Sequence, residues 1–243
     1  MSPIEISAIV FACVFGGALF GMELRGILPE PHRSGESKEL VRSAMALVGT
    51  LSALVLGLLV ASAKGSYDAQ KDELTSMTSG VLLLDRVLGM YGPETKETRK
   101  LLREVVAGAS DQIWHGAPPV KRSDALYESL HELSPKNDEQ RALKSEASSL
   151  VIDLAKTRFL MLAQRGSSVA TPLLIVVVFW LTINFVSFGI FAHRNATVAT
   201  TLFVCALSVA GAIFLILEMD HPFEGLIRIS DAPLTQALTE MGR

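Results

Sequence analysis

The chain has 243 residues, of which 49 % are hydrophobic and only 19 % charged. That is more apolar than a soluble domain needs, and the apolar residues are concentrated in runs. A net charge of −3 without a stripe of Lys and Arg excludes nucleic acid as a partner; Cys13 and Cys205 sit singly in apolar runs as small packing residues, with neither metal spacing nor a disulfide framework.

Residues 4–24 form the first hydrophobic run, bracketed by Glu5 and Glu23. The run lacks a basic n-region and an Ala-x-Ala site, so it reads as a retained membrane helix and not a signal peptide. Gly17 and Gly21 make a GxxxG pair, a signal for close packing against another helix. Pro29 and Pro31 stop this helix in a polar loop, and Ser37 opens the next one. Between Arg42 and Lys64 lie 21 residues without a charge, enough to cross a hydrocarbon core of about 30 Å at about 1.5 Å per residue. Ser43, Ala46, Thr50, Ala53, Gly57, Ala61 and Lys64 recur there at steps of three and four, forming a narrow small or weakly polar stripe. Leu47, Leu51, Leu54, Val55, Leu58 and Leu59 supply the bulky remainder. Two readings of the stripe follow: a tight helix–helix seam, or the lining of a pore to which several subunits contribute.

Past Lys64 no proline intervenes, and Leu74, Met77, Val81, Leu84, Leu88 and Tyr91 continue the helical spacing, so the second span is expected to run on into water. Gly92-Pro93 breaks it. An amphipathic helix over 94–114, a loop at Gly116-Ala117-Pro118-Pro119, a short helix from Ser123 and a long helix over 137–164 follow, interrupted near Gly166. Residues 168–192 make the third span, entered through Thr171-Pro172, where proline suits a first turn. Asn184 lies near its middle and needs a partner in hydrocarbon: an interhelical hydrogen bond, or a pore or ion contact. His193-Arg194-Asn195 makes a tight turn into a fourth span over 196–217, and Pro233 opens a last amphipathic helix in the tail.

The expected fold is therefore all-α: a four-span integral membrane protein with a helical soluble domain built on extended membrane helices. Its parts are the first two spans (1–63), the soluble domain (64–167), the last two spans (168–217) and the tail (218–243). Basic residues fall on both sides, with Arg25, Arg33, Lys38 and Arg42 in the first loop against Lys64, Lys71, Lys156, Arg158 and Arg165 beside the domain. The expectation is that the termini and the helical domain are cytoplasmic.

No nucleophile elbow, HExxH or P-loop occurs, and His32, His115, His131, His193 and His221 have no metal-ligand spacing, so an enzyme is not expected. The exit from the fourth span, ILEMDHPFEGLIRISDAPL, gathers Glu218, Asp220, Glu224 and Asp231 around a proline-kinked turn. Carboxylates with freed carbonyls are what a hard cation such as Ca²⁺ takes; alternatively the acids cap the last helix and pair with Arg228.

Four separated motifs, the LPEPH turn, the LVGTLSALVLGLLVASAKGSYDA span, the LLLDRVLGMYGPET break and DHPFEGLIRIS, occur in one order along nearly the whole chain. In these the sequence resembles the bestrophin-like membrane protein family of bacteria and plants, itself distantly similar to bestrophin channels. The resemblance implies a homo-oligomeric ion channel, a pentamer as in bestrophins, with Ser43, Ala46, Thr50, Ala53 and Gly57 lining the pore. It implies an ion-sensing turn at Asp220 and Glu224, with Ca²⁺ as the cation. The stripe is small where a bestrophin neck is bulky, so selectivity does not carry over. Arg42 and Lys64 at the mouths would favour anions, Glu23 and Glu218 cations. The expected surroundings are a bacterial inner membrane, its lipid bilayer and permeant inorganic ions. The alternative function is a non-conducting oligomeric adaptor or structural protein whose helical domain binds partners.

Overall fold

A computed structural model describes residues 2–27, 35–115, 123–163, 170–192 and 195–241. Among them the chain is all-α. The helices are α1 (Pro3–Ile27), α2 (Gly35–Tyr91), α3 (Lys96–His115), α4 (Ser123–Glu132), α5 (Asp138–Ala163), α6 (Thr171–Phe191), α7 (Ala196–Met219) and α8 (Ala232–Glu240), with a 3₁₀ turn over Pro93–Thr95. Four of them, α1, α2, α6 and α7, are long and apolar enough to cross a membrane. The stops at Pro29 and Pro31, the 116–119 loop, the Gly166 interruption and the His193-Arg194 half of the tight turn lie outside the described residues.

The ends of these helices are set by local chemistry. At α1 the Ser2 backbone N–H donates to Glu5 Oε2 at 2.8 Å while Glu5 N–H donates to Ser2 Oγ at 3.3 Å, a reciprocal cap of two otherwise orphaned donors. Pro172 stands in the first turn of α6, where a missing N–H costs nothing. Asn195 caps α7, its Oδ1 accepting from Val198 N–H at 2.8 Å.

Two compact units arise. The first comprises residues 1–67 and 167–220, the second 68–166 and 221–243, and α2 contributes its N-terminal part to one and its C-terminal part to the other. In the first unit α1 buries Val10, Val14, Ala18 and Met22, each four residues from the last. Around them pack Leu59 and Ala63 of α2, Val177 and Phe185 of α6, and Ala206 and Ile213 of α7. The outward faces stay strongly apolar: Phe20, Ile175, Phe179, Val204 and Leu207 are all exposed, which suits lipid and not water. Cys13 and Cys205 are on these exposed faces, so the expectation that they pack inside is corrected.

In the second unit Leu74, Met77, Val81, Leu84, Leu88 and Tyr91 of α2 are buried, the alternating three- and four-residue spacing of a coiled-coil seam. Met77 and Val81 line one apolar pocket with Leu102, Val106 and Ala109 of α3 and Leu126 of α4, and Leu130 of α4 and Leu143 and Ala147 of α5 are buried in the same unit. The helix ends where Gly92 takes φ 130°, a left-handed backbone that a Cβ disfavours. Thr95 Oγ donates to the Leu88 carbonyl at 2.6 Å and Gln140 Nε2 to that of Tyr91 at 2.9 Å, so two of the last four carbonyls of α2 are satisfied by side chains.

This joint carries a pH-dependent tie. Lys136 Nζ lies 2.6 Å from Glu94 Oε1, and the hydrogen bond holds the Glu94 carboxyl below its ordinary value and raises that of Lys136. A carboxylate with a lowered folded value stabilises above its unfolded value of about 4.3, and that part is lost as pH falls through the lowered one. The lysine part is present below about 10.4 and lost as pH rises through its raised value. We expect the thermal midpoint of the second unit to lose a small increment at each extreme and none between, the pair being exposed. Glu94→Gln should remove the acid-side increment; an acid limb identical to that of the unaltered protein would place the sensitivity elsewhere.

Candidate pore helix and span-exit turn

The membrane part of α2 presents three faces. Ser52, Leu59 and Ala63 are buried against the first unit, and Val55 and Leu56 pack partly against the same core. Leu47, Leu51, Leu54 and Leu58 form an exposed bulky face. The third face is the small stripe: Ser43, Ala46, Thr50, Ala53 and Gly57 are all exposed. A Cβ added at Gly57 would meet nothing within 4 Å. The Thr50 hydroxyl donates to the Ala46 carbonyl one turn back at 3.0 Å, so its hydrogen is satisfied within the helix while the residue stays exposed. Within this protomer the stripe is not the packing seam of α2; the seam is the Ser52–Ala63 side. An exposed small and weakly polar strip between Arg42 and Lys64 has no reason to face lipid, which favours bulky apolar side chains.

The charges expected at the mouths divide. Arg42, Lys64 and Glu23 are exposed, whereas Glu218 is only 2 % exposed on the inner side of α7. Glu218 already has an interaction partner.

The close approach in this unit is between α1 and α6. A Cβ at Gly17 would stand 3.1 Å from Thr182 Cγ2, and one at Gly21 would overlap the Val186 carbonyl oxygen. Gly189 answers from the other helix, where a Cβ would overlap the Ala18 carbonyl oxygen. Three glycines therefore let two backbones touch, and Arg25 locks the end by donating to the Ala192 carbonyl. Among the described residues Asn184 makes no interhelical hydrogen bond, the first of its two expected roles. Its Nδ2 donates to the Trp180 carbonyl on its own helix at 3.0 Å, and Oδ1 is buried without a partner. That oxygen lines a crevice of about 520 Å³ between α2 and α6, with Arg42, Met45, Gly49 and Phe188 around it.

After α7 the chain folds into a compact turn. Within the second unit Glu224 N–H donates to the His221 carbonyl at 3.0 Å, Gly225 takes φ 80°, and Ile229 N–H returns to the Pro222 carbonyl at 2.7 Å. Trp114 of α3 pins this loop: its Nε1 donates to the Ile229 carbonyl at 2.9 Å and its ring meets Phe223 edge-on at 5.8 Å. Trp114→Phe keeps the ring contact and orphans one carbonyl, so we expect a loss of about 1 kcal/mol in stability, read as a lowered thermal midpoint. A midpoint equal to that of the unaltered protein would show the hydrogen bond to be dispensable.

The two proposed cation ligands differ in setting. Asp220 is buried and already engaged, whereas Glu224 is exposed. Among the described residues no group of three or more His, Cys, Asp or Glu side chains converges as a metal site requires, and Ca²⁺ takes six to eight oxygens. The turn's geometry is instead accounted for by its backbone hydrogen bonds and by Trp114.

No curated protein and no solved structure matches the chain. The family model for the Bestrophin-like domain matches residues 10–234, which takes in α2, the glycine seam and the turn after α7. The chain belongs to the bestrophin-like family.

Proposed function

We propose that this protein is a homo-oligomeric, non-catalytic ion channel in which α2 of each subunit lines the conduit with Ser43, Ala46, Thr50, Ala53 and Gly57. The observation that carries the reading is the rotation of α2. Its packed face is used up inside the protomer, its leucine face suits lipid or a neighbour, and its small face is left open between two cations. Four helices of one chain do not enclose a conduit, so several copies are needed, with the small faces turned to a common axis. Membership of the bestrophin-like family supports the same reading. The continuity of α2 from the span into the helical domain offers the route by which that domain would act on the pore.

The test is reconstitution in a planar bilayer under a salt gradient. A current reversing near the chloride potential supports an anion pore with Arg42 and Lys64 at its mouths. Reversal near the cation potential keeps the channel and reverses the selectivity. Silence from intact, oligomeric protein overturns the proposal and favours the non-conducting adaptor.

A further inference from the structure

The first two turns of α3 carry an unfavourable charge pattern. Lys96, Arg99, Lys100 and Arg103 fall at i, i+3, i+4 and i+7 and so share one face, which corrects the expectation that the chain carries no stripe of Lys and Arg. Like charges at these spacings repel, and the N-terminal end of a helix is already positive. The nearby acids offset only part of this. Asp85 is occupied by Arg99 through two hydrogen bonds of 2.8 Å, from Nε and from Nη2. Glu97 reaches only Lys100, at 3.4 Å, and both are well exposed. Arg103 spends one N–H on the Leu238 carbonyl of α8 at 3.2 Å. Lys96 has no ion-pair partner among the described residues.

These four cations line a single pocket of about 570 Å³ with Gly89, Thr95 and Met241. Its ionised lining is four cations against two carboxylates, Asp85 and Glu97, leaving a surplus of two positive charges. The geometry is partly prepared. The Asp85 carboxylate fixes the Arg99 guanidinium through those two hydrogen bonds, beside Gly89. The volume falls within the range of small-molecule sites, roughly 300–1,000 Å³, and far exceeds what a single halide needs. Guanidinium forks and ammonium groups around one cavity match the several oxygens of phosphate.

We propose that this pocket binds a phosphate-bearing anion, with Lys96, Lys100 and Arg103 supplying charge and Arg99, held in place by Asp85, supplying the N–H donors that Asp85 leaves unused. The bound anion offsets the repulsion that the sequence builds into the start of α3. The proposal concerns the second unit alone and is independent of whether α2 conducts.

The experiment uses the full chain in phosphatidylcholine nanodiscs, titrated calorimetrically with inorganic pyrophosphate at constant ionic strength. A parallel arm measures attachment of detergent-free nanodiscs to vesicles of phosphatidylcholine with and without phosphatidylglycerol. Saturable pyrophosphate binding that weakens at least about tenfold in Lys96→Gln/Lys100→Gln/Arg103→Gln supports a soluble phosphate ligand. Attachment only to the phosphatidylglycerol vesicles, lost in the same variant, supports a lipid headgroup. The charge-keeping variant Lys96→Arg/Lys100→Arg/Arg103→Lys should retain most of the affinity, which guards against misfolding as the cause. Binding of neither probe, or equal affinity in the unaltered and neutralised proteins, overturns the proposal.

Discussion

Gly21→Leu should prevent the first unit from folding, whereas Gly16→Leu five residues away should be tolerated. The two glycines sit in the same apolar run, and composition does not separate them. At Gly21 even a methyl group would overlap the Val186 carbonyl and crowd Gly189 Cα at 3.1 Å, while at Gly16 nothing lies within 4 Å. The obstacle at Gly21 is backbone, which cannot rotate away as a side chain does, so α1 and α6 must separate. Overpacking a core commonly costs about 1–3 kcal/mol, and parting a backbone-to-backbone seam should exceed that range. It would also break the Arg25 bond to the Ala192 carbonyl. The measurement is the fraction of monodisperse protein and its thermal midpoint in mild detergent. Equal behaviour of the two variants would mean that the α1–α6 seam does not hold the unit together.

Gly57→Leu should reduce ion flux by an order of magnitude or more while leaving oligomer and stability intact. Nothing in the protomer lies within 4 Å of a Cβ at Gly57, so the added side chain meets no neighbour in its own chain. Leucine is also the better helix former, by roughly 0.8 kcal/mol. Any effect must therefore come from what the open face of α2 meets outside the protomer. In a conduit lined by several copies, each added isobutyl group narrows and dries the same level of the path. Leu54→Ala on the exposed leucine face is the control and should leave flux unchanged. Reconstituted vesicles reporting flux beside size-exclusion profiles separate the outcomes. Unaltered flux through Gly57→Leu would remove the stripe from the pore, and loss of the oligomer would make it a subunit seam.

Much of this architecture was legible in the chain. The absence of proline from 35 to 91, with the spacing of Leu74 to Tyr91, announced one helix that outlasts its span, and Gly92-Pro93 announced its end. The start of α1 is also written locally: Ser2 and Glu5 are three apart before an apolar run, the pattern of a capping box. Other features had no local signal. Trp114 and Ile229 are 115 residues apart, and nothing in either neighbourhood names the other. Glu218 resembles any acid at the end of a span, yet its burial depends on which side of α7 turns inward.

The sequence by itself determined the elements: four apolar helices, the breaks between them, and the angular separation of the three faces of α2. Those follow from side-chain chemistry and the 3.6-residue turn, which are properties of each segment alone. Only the tertiary structure decided how each helix is rotated. Periodicity places the small stripe of α2 away from Ser52, Leu59 and Ala63, but either side is a plausible seam until neighbouring helices take one. Here the Ser52–Ala63 side fills the core with α1, α6 and α7, and the glycine contact goes to α1 and α6 instead. That choice leaves Ser43, Ala46, Thr50, Ala53 and Gly57 open, because packing is a property of pairs of surfaces and no single segment encodes its partner.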